Sequence, residues 1–200
     1  MWDLLTGQLI DTLSRQTEQE ITAVDLIENS GNFVMGDSEG AISLRKQDSG
    51  VRIGKLYQNK YRAPVIHLVS KQGGFWNNCV IIGCCQDCEI PVFGKDESSD
   101  YVHLRTLNPR KSYPKISIQM IEYECKRNIL IIGTNSGDVI FMDVDKNKVT
   151  NYIQTNAMVE NVYFKLNYNI PNVLIFNKNN EVSGVFLPPH SKKFKFGCNL

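Results

Sequence analysis

Three things are scarce in this 200-residue chain: charge of one sign, long apolar runs and helical periodicity. Its 22 basic and 21 acidic residues leave a formal net charge of +1. That is too little long-range field for a general nucleic-acid or membrane-surface binder, although a local basic patch stays open. No stretch approaches the roughly 18 apolar residues of a membrane span, and the opening MWDLLTGQLIDTL has neither a basic segment nor a long apolar core. The expectation is a soluble, cytoplasmic protein. No window shows a sustained period of about 3.6 residues with caps, so helices are not expected. GxSxG, HExxH, P-loop and GxGxxG patterns are all missing, which argues against an enzyme and against a cofactor.

The six cysteines, at 79, 84, 85, 88, 125 and 198, do not staple distant loops, because four of them fall within ten residues. A reducing compartment fits that clustering. Cys85 and Cys88 form a single CxxC spacing, whereas a structural zinc site draws ligands from two such pairs. Strand alternation would also put Cys84 and Cys85 on opposite faces. They are read as buried thiols, with no metal site. His67, His103 and His190 fall on three separate segments, and the first two read as satisfied strand histidines.

What the chain does have is a repeated hairpin: an apolar run ending in Gly, a short polar turn, then another apolar run. It reads FVMGDSEGAISL from Phe33, VIIGCCQDCEIPVF from Val80 and ILIIGTNSGDVIFMD from Ile129. Aligned on glycines 36, 83 and 133, the copies recur at intervals of 47 and 50 residues (83 − 36 and 133 − 83), the range of a four-stranded propeller blade. VLIFNKNNEVSGVF is a fourth, weaker copy, with Asn177 in the place of Gly.

Each interval divides into four short segments rich in β-branched and aromatic residues, bounded by Gly, Asn, Asp, Ser or Pro. In the first copy these are Ile21 to Ile27, Phe33 to Gly36, Ala41 to Lys46 and Val51 to Tyr57. The fourth copy shows three strands and no obvious fourth. Second strands are near-continuous apolar runs and fourth strands alternate, so the second is expected to be buried on both faces and the fourth to have one wet face. The fold class is therefore all-β, a propeller of about four four-stranded antiparallel blades. It should span residues 1–187, with 188–200 a basic, loosely ordered tail.

The hairpins resemble the WD-repeat family of β-propellers, whose signature runs Ser-Gly-Ser-x-Asp-Gly-x-Ile-x-Val-Trp-Asp. Gly36, Gly40 and Ile42 match it in the first copy; Gly133, Gly137, Val139 and the pair Met142-Asp143 match in the third. Trp2-Asp3 opens the chain and resembles the end of a third strand. The Trp-Asp position is Arg45-Lys46 in the first copy and Phe93-Gly94 in the second, and the family's Gly-His pair is missing throughout. The resemblance implies a non-catalytic protein-interaction scaffold. It also implies either the C-terminal part of a longer propeller, the preferred expectation, or a small ring closed by a strand at Leu9 to Leu13. An open arc would leave an apolar blade face bare, for missing blades or a second copy.

In a propeller, connections from an outer strand to the next inner strand share one rim. NKYRAP and NPRKSYP would then be neighbours, offering Lys60, Tyr61, Arg62, Arg110, Lys111 and Tyr113 to an acidic segment of a partner protein. KQGGFWNN would put Phe75 and Trp76 on the opposite rim, as a contact or as a cap. Asp37, Glu39, Asp87 and Asp138 fall in hairpin turns, where turn chemistry favours them, and a convergence on a central channel is the alternative. The basic loops and tail motivate a phosphoinositide-binding alternative on membranes, against which the chain has no Arg-Arg pair. Asn- and Lys-rich tracts such as KNKVTNYIQTN suit an AT-rich genome, which points to a protist source and leaves a ciliary role open.

Overall fold

The computed structural model describes residues 6–8, 19–73, 79–167, 170–186 and 195–199. The first sheet is β1 (Ile21–Ile27), β2 (Asn32–Asp37), β3 (Ala41–Lys46) and β4 (Arg52–Gln58). The second is β5 (Val65–Lys71), β6 (Val80–Cys85), β7 (Ile90–Lys95) and β8 (Tyr101–Leu107). A 3-10 turn at Pro109–Lys111 leads to β9 (Ile118–Glu124), β10 (Ile129–Thr134), β11 (Asp138–Asp143) and β12 (Lys148–Gln154). The last holds β13 (Val159–Asn167), β14 (Ile170–Asn177), β15 (Val182–Phe186) and β16 (Lys195–Asn199). Every sheet is antiparallel, with its strands in sequence order. These are four blades.

Burial follows the expected gradient. β6 is buried along its whole length and β10 at every residue but Ile129, whereas β12 alternates and β4 is mostly exposed. Inner strands stack in series, β1 against β5, β5 against β9 and β9 against β13. Among the described residues β13 makes no comparable contact with β1. The core is three apolar layers. Val34, Ile42 and Leu44 meet Val65, Ile81 and Phe93 between the first two blades. Ile82 and Val92 meet Ile121 and Ile132 in the next layer, and Phe141 meets Val159 and Val173 in the last. Each such side chain contributes roughly 1.5 to 3 kcal/mol on burial. Polar links cross the same joints: Asp25 accepts from the Ser70 amide and hydroxyl at 2.5 and 2.7 Å, and Lys71 pairs with Glu122 at 3.2 Å.

Three sequence expectations need correction. The turn after each second strand is closed by one backbone bond, from Gly40 to the Asp37 carbonyl, Cys88 to Cys85, Gly137 to Thr134 and Asn180 to Asn177. That makes Cys84, not Gly83, the counterpart of Gly36 and Gly133, and Phe176, not Asn177, the counterpart in the fourth blade. The turn needs positive φ at its last position, and Gly40, Cys88, Gly137 and Asn180 all adopt it (φ 76, 68, 91 and 61). Second, a fourth strand does complete the last blade. β16, inside the stretch expected to be a loose tail, pairs with β15 through Ser183↔Asn199, Val185↔Phe196 and Phe186↔Lys195. Third, the outward face of the first blade is mixed rather than apolar: Val24 and Leu26 are exposed on it, and Arg45, Arg52 and Lys55 share it. Trp2 and the strand expected at Leu9 to Leu13 lie outside the described residues.

Candidate interaction site

The rim where outer strands hand over to the next blade is rigid because its loops are stitched to the hairpin turns. Asn59 shows how. It is 1% exposed; its Oδ1 accepts from the Tyr61 and Ala63 amides at 2.8 and 3.0 Å, and its Nδ2 donates to Asp87 and Glu89 at 2.9 and 3.2 Å. Its own amide donates to the Gly40 carbonyl at 2.9 Å. One side chain thus ties the 59–64 connection to the turn of the second blade, and its backbone ties it to the turn of the first. Tyr57 adds a hydroxyl bond to Glu89 at 2.8 Å, and burial together with that carboxylate raises the phenol pKa far above its ordinary value.

On this anchored loop Tyr61 stands 73% exposed, with the Lys60 ammonium 5.4 Å from its ring centre. Arg62 adopts φ 55 and pairs with Glu39 at 3.3 Å, both side chains well exposed. The second loop carries exposed Arg110 and Lys111 on the 3-10 turn, capped by Asn108, whose Oδ1 accepts from the Arg110 amide at 3.0 Å. Tyr113 turns inward instead, half-buried with its ring centre 6.1 Å from that of Tyr152. Five of these six side chains are exposed on rim loops, and Tyr113 is a packing residue. Phe75 and Trp76 lie outside the described residues.

The turn carboxylates are engaged locally. Asp37 accepts from the Glu39 and Ala41 amides, Asp87 from the Glu89 amide and Asp138 from the Ser136 hydroxyl. Each accepts within its own turn, and Asp87 accepts from Asn59 as well. Cys84 and Cys85 do sit on opposite faces, one in each of two neighbouring apolar layers. Burial raises both thiols, Cys85 to about 12. Among the described residues no three His, Cys, Asp or Glu are placed to hold a metal. His103 bonds Thr106 at 2.9 Å, in keeping with a satisfied strand histidine. His67 departs from that reading. Its Nδ1 has no hydrogen-bond partner among the described residues, and burial lowers its pKa, which favours the neutral ring.

Sequence reasoning missed one feature beside the rim. A cleft of about 690 Å³ opens on the outward face of the first blade, with Met35, Ser43 and Arg45 on its floor and Arg52, Lys55 and Lys60 along it. The replacement of Trp-Asp by Arg45-Lys46 was the available signal.

With this geometry in hand, the chain can be set beside known proteins. The β-propeller domain of Cps50 (Swd1) from Myceliophteria thermophila superposes with a TM-score of 0.68 at 14% identity, over 99% of this chain and 64% of that one. The chain has the β-propeller fold. Two computationally designed proteins agree. Ika4 matches with TM-score 0.65 at 17% identity over 92% of this chain and all of that one, and Ika8 with 0.64 at 18% over 93% and 51%. No family model matches the chain. In sequence it is 23% identical over 196 residues to cilia- and flagella-associated protein 337 B of Tetrahymena thermophila, and spans 15% of that protein's length. No helix among the described residues is long and apolar enough to cross a membrane.

Proposed function

We propose that this chain is a non-catalytic protein-interaction module, a WD-repeat-like propeller portion of a ciliary or flagellar protein, and that it engages its partners through the rim loops at 59–64 and 108–114. The observation that carries this reading is the pairing of an exposed aromatic with a buried anchor. Tyr61 is 73% exposed and Asn59, two residues earlier, is 1% exposed and fully hydrogen-bonded. A tyrosine presented on a pre-ordered loop loses little conformational freedom on binding, and tyrosine and arginine are the residues that most often dominate interfaces. Lys60, Arg62, Arg110 and Lys111 give the rim a basic character suited to an acidic partner. The engagement of Asp37, Asp87 and Asp138 in their own turns supports the non-catalytic reading. The likeness to a cilia- and flagella-associated protein supports the setting.

The test is co-sedimentation of the purified chain with isolated axonemes from a ciliated protist. Saturable binding is expected, and the Tyr61→Ala and Arg62→Glu changes together should reduce it by about tenfold. No binding, or undiminished binding by the doubly changed chain, would overturn the proposal.

A further inference from the structure

The exposed serines of the described residues differ in what surrounds their hydroxyls. Ser49 donates to Asp48, Ser98 to Asp96 and Ser136 to Asp138, at 2.9, 2.9 and 2.6 Å. Ser117 accepts from the Asn135 side-chain amide at 3.0 Å, and Ser99 lies in the acidic run Asp96-Glu97-Ser98-Ser99-Asp100. Ser112 is of another kind. Among the described residues its hydroxyl has no hydrogen-bond partner, and the two residues before it are the exposed cations Arg110 and Lys111. Neither cation is paired with a carboxylate among the described residues.

The backbone that carries Ser112 is held by few bonds. Pro109–Lys111 is a three-residue 3-10 turn in which the Lys111 amide donates to the Asn108 carbonyl at 3.3 Å. The Ser112 and Tyr113 amides both donate to the Pro109 carbonyl, at 3.0 and 2.9 Å. A turn of this size can open without the core, because local opening costs only the bonds it breaks. Beyond Ser112 the loop is fixed by half-buried Tyr113 and buried Ile116, which pack on the layer between the second and third blades. Residues 108–112 are therefore free to enter an enzyme's groove while the rest of the connection stays in place. Protein kinases select substrates by the charge around the acceptor hydroxyl, and two exposed cations directly before a serine suit a groove lined with carboxylates.

We propose that Ser112 accepts a phosphoryl group from a cation-directed serine kinase, and that the phosphate, held by Arg110 and Lys111, withdraws both cations from the partner. The Ser112 Oγ forms a bond to the γ-phosphorus of a nucleoside triphosphate as the bond from that phosphorus to the β–γ bridging oxygen breaks. The hydroxyl proton passes to the kinase's aspartate, and a nucleoside diphosphate leaves. A phosphoserine carries about −1.5 to −2 charges at neutral pH, which offsets the two cations beside it. The acceptor site stands on the 108–112 turn alone, whereas its effect on binding rests on the rim reading.

The test incubates the folded 200-residue chain with γ-labelled ATP and the catalytic subunit of cyclic-AMP-dependent protein kinase, with casein kinase as the control directed to acidic motifs. Phosphate is expected at Ser112 alone with the first enzyme, mapped by mass spectrometry. It should be absent in Ser112→Ala, retained in Ser112→Thr, and incorporated about tenfold more slowly in Arg110→Gln/Lys111→Gln. In phosphorus NMR the second ionisation of the Ser112 phosphate should have a midpoint below about 6, rising towards it as salt screens the two cations. The phosphorylated chain should co-sediment with axonemes about tenfold more weakly than the unmodified chain. No incorporation by the first enzyme, incorporation at Ser98 or Ser99 instead, an equal rate in Arg110→Gln/Lys111→Gln, or a midpoint at or above about 6 would overturn the proposal. Equal sedimentation of the two forms would overturn the withdrawal of the cations. Phosphorylation at Ser112 with no sedimentation of either form would instead overturn the rim reading and leave the acceptor site standing.

Discussion

Gly36 lies so close to Val65 that a Cβ on the glycine would stand 2.5 Å from the valine Cγ1 and 2.6 Å from its Cβ. Gly133 and Val159 repeat the relationship at the third joint, with the nearest approach 2.7 Å. At each of these joints a branched side chain from the inner strand of the following blade fills the notch the glycine leaves. The Gly36→Ala variant should therefore unfold in urea with about 1 to 3 kcal/mol less stability, and Gly36→Ala with Val65→Ala should recover part of that loss. Additive losses in the double variant would show that the two residues are not packed against each other.

Removing the Asn59 side chain takes away the side-chain acceptor of two amides and one donor from each of two carboxylates at a site that is 1% exposed. Asn59→Ala should cost about 2 to 3 kcal/mol in urea unfolding, and should speed amide exchange at Tyr61 and Ala63 more than at Ile131. Uniform acceleration across the chain would assign Asn59 only a general part in stability.

His67 makes stability depend on pH. Its folded pKa lies below the ordinary value of 6.5 because burial disfavours the charged ring, and the nearby Asp25 charge only partly opposes this. The unfolded chain therefore takes up a proton more readily than the folded one as pH falls below about 6.5. The stabilisation is complete above that pH and is lost as pH falls towards the folded pKa. Denaturation midpoints measured between pH 8 and 5, referenced to about pH 6.5 as the unfolded pKa, should fall on the acid side, and His67→Gln should flatten the decline. An unchanged profile in that variant would remove His67 as the cause.

The thiols should divide by burial. Cys79, Cys84, Cys85 and Cys88 are buried and Cys125 is half-buried. In the Cys198→Ser variant, Ellman's reagent at neutral pH should modify Cys125 first and Cys79, Cys84, Cys85 and Cys88 only on unfolding. Modification of Cys84 in the folded chain at the rate of Cys125 would contradict the placement of β6 between two blades.

The blades were legible because their signal is a property of runs. Continuous apolar stretches such as Ile129 to Ile132, closed by turn residues, specify a strand buried on both faces wherever they occur. Register was harder to read. Aligning on glycine chose Gly83, whereas the turn geometry chose Cys84, because Cys88 accepts the positive φ that Gly40 and Gly137 mark openly. The last outer strand is hidden by its flanks: Phe196 and Cys198 alternate with Lys195, Gly197 and Asn199, but the preceding PPHSKK reads as a polar, basic tail, and the strand is held by three backbone pairings to β15. The rim loops could be found from their basic and aromatic residues, but their rigidity could not, since it rests on contacts of Asn59 with residues about thirty positions away. The basic outward face depended on cross-strand rows that no linear pattern displays.

If the rim loops after the first two blades are the working surface, a photo-crosslinking amino acid at position 61 of the chain in ciliated cells should report it, with position 178, on the turn of the last blade, as the control. A discrete crosslinked partner is expected from position 61, lost with Arg62→Glu, and none from position 178. Crosslinks from position 178 alone, or from neither position, would contradict it.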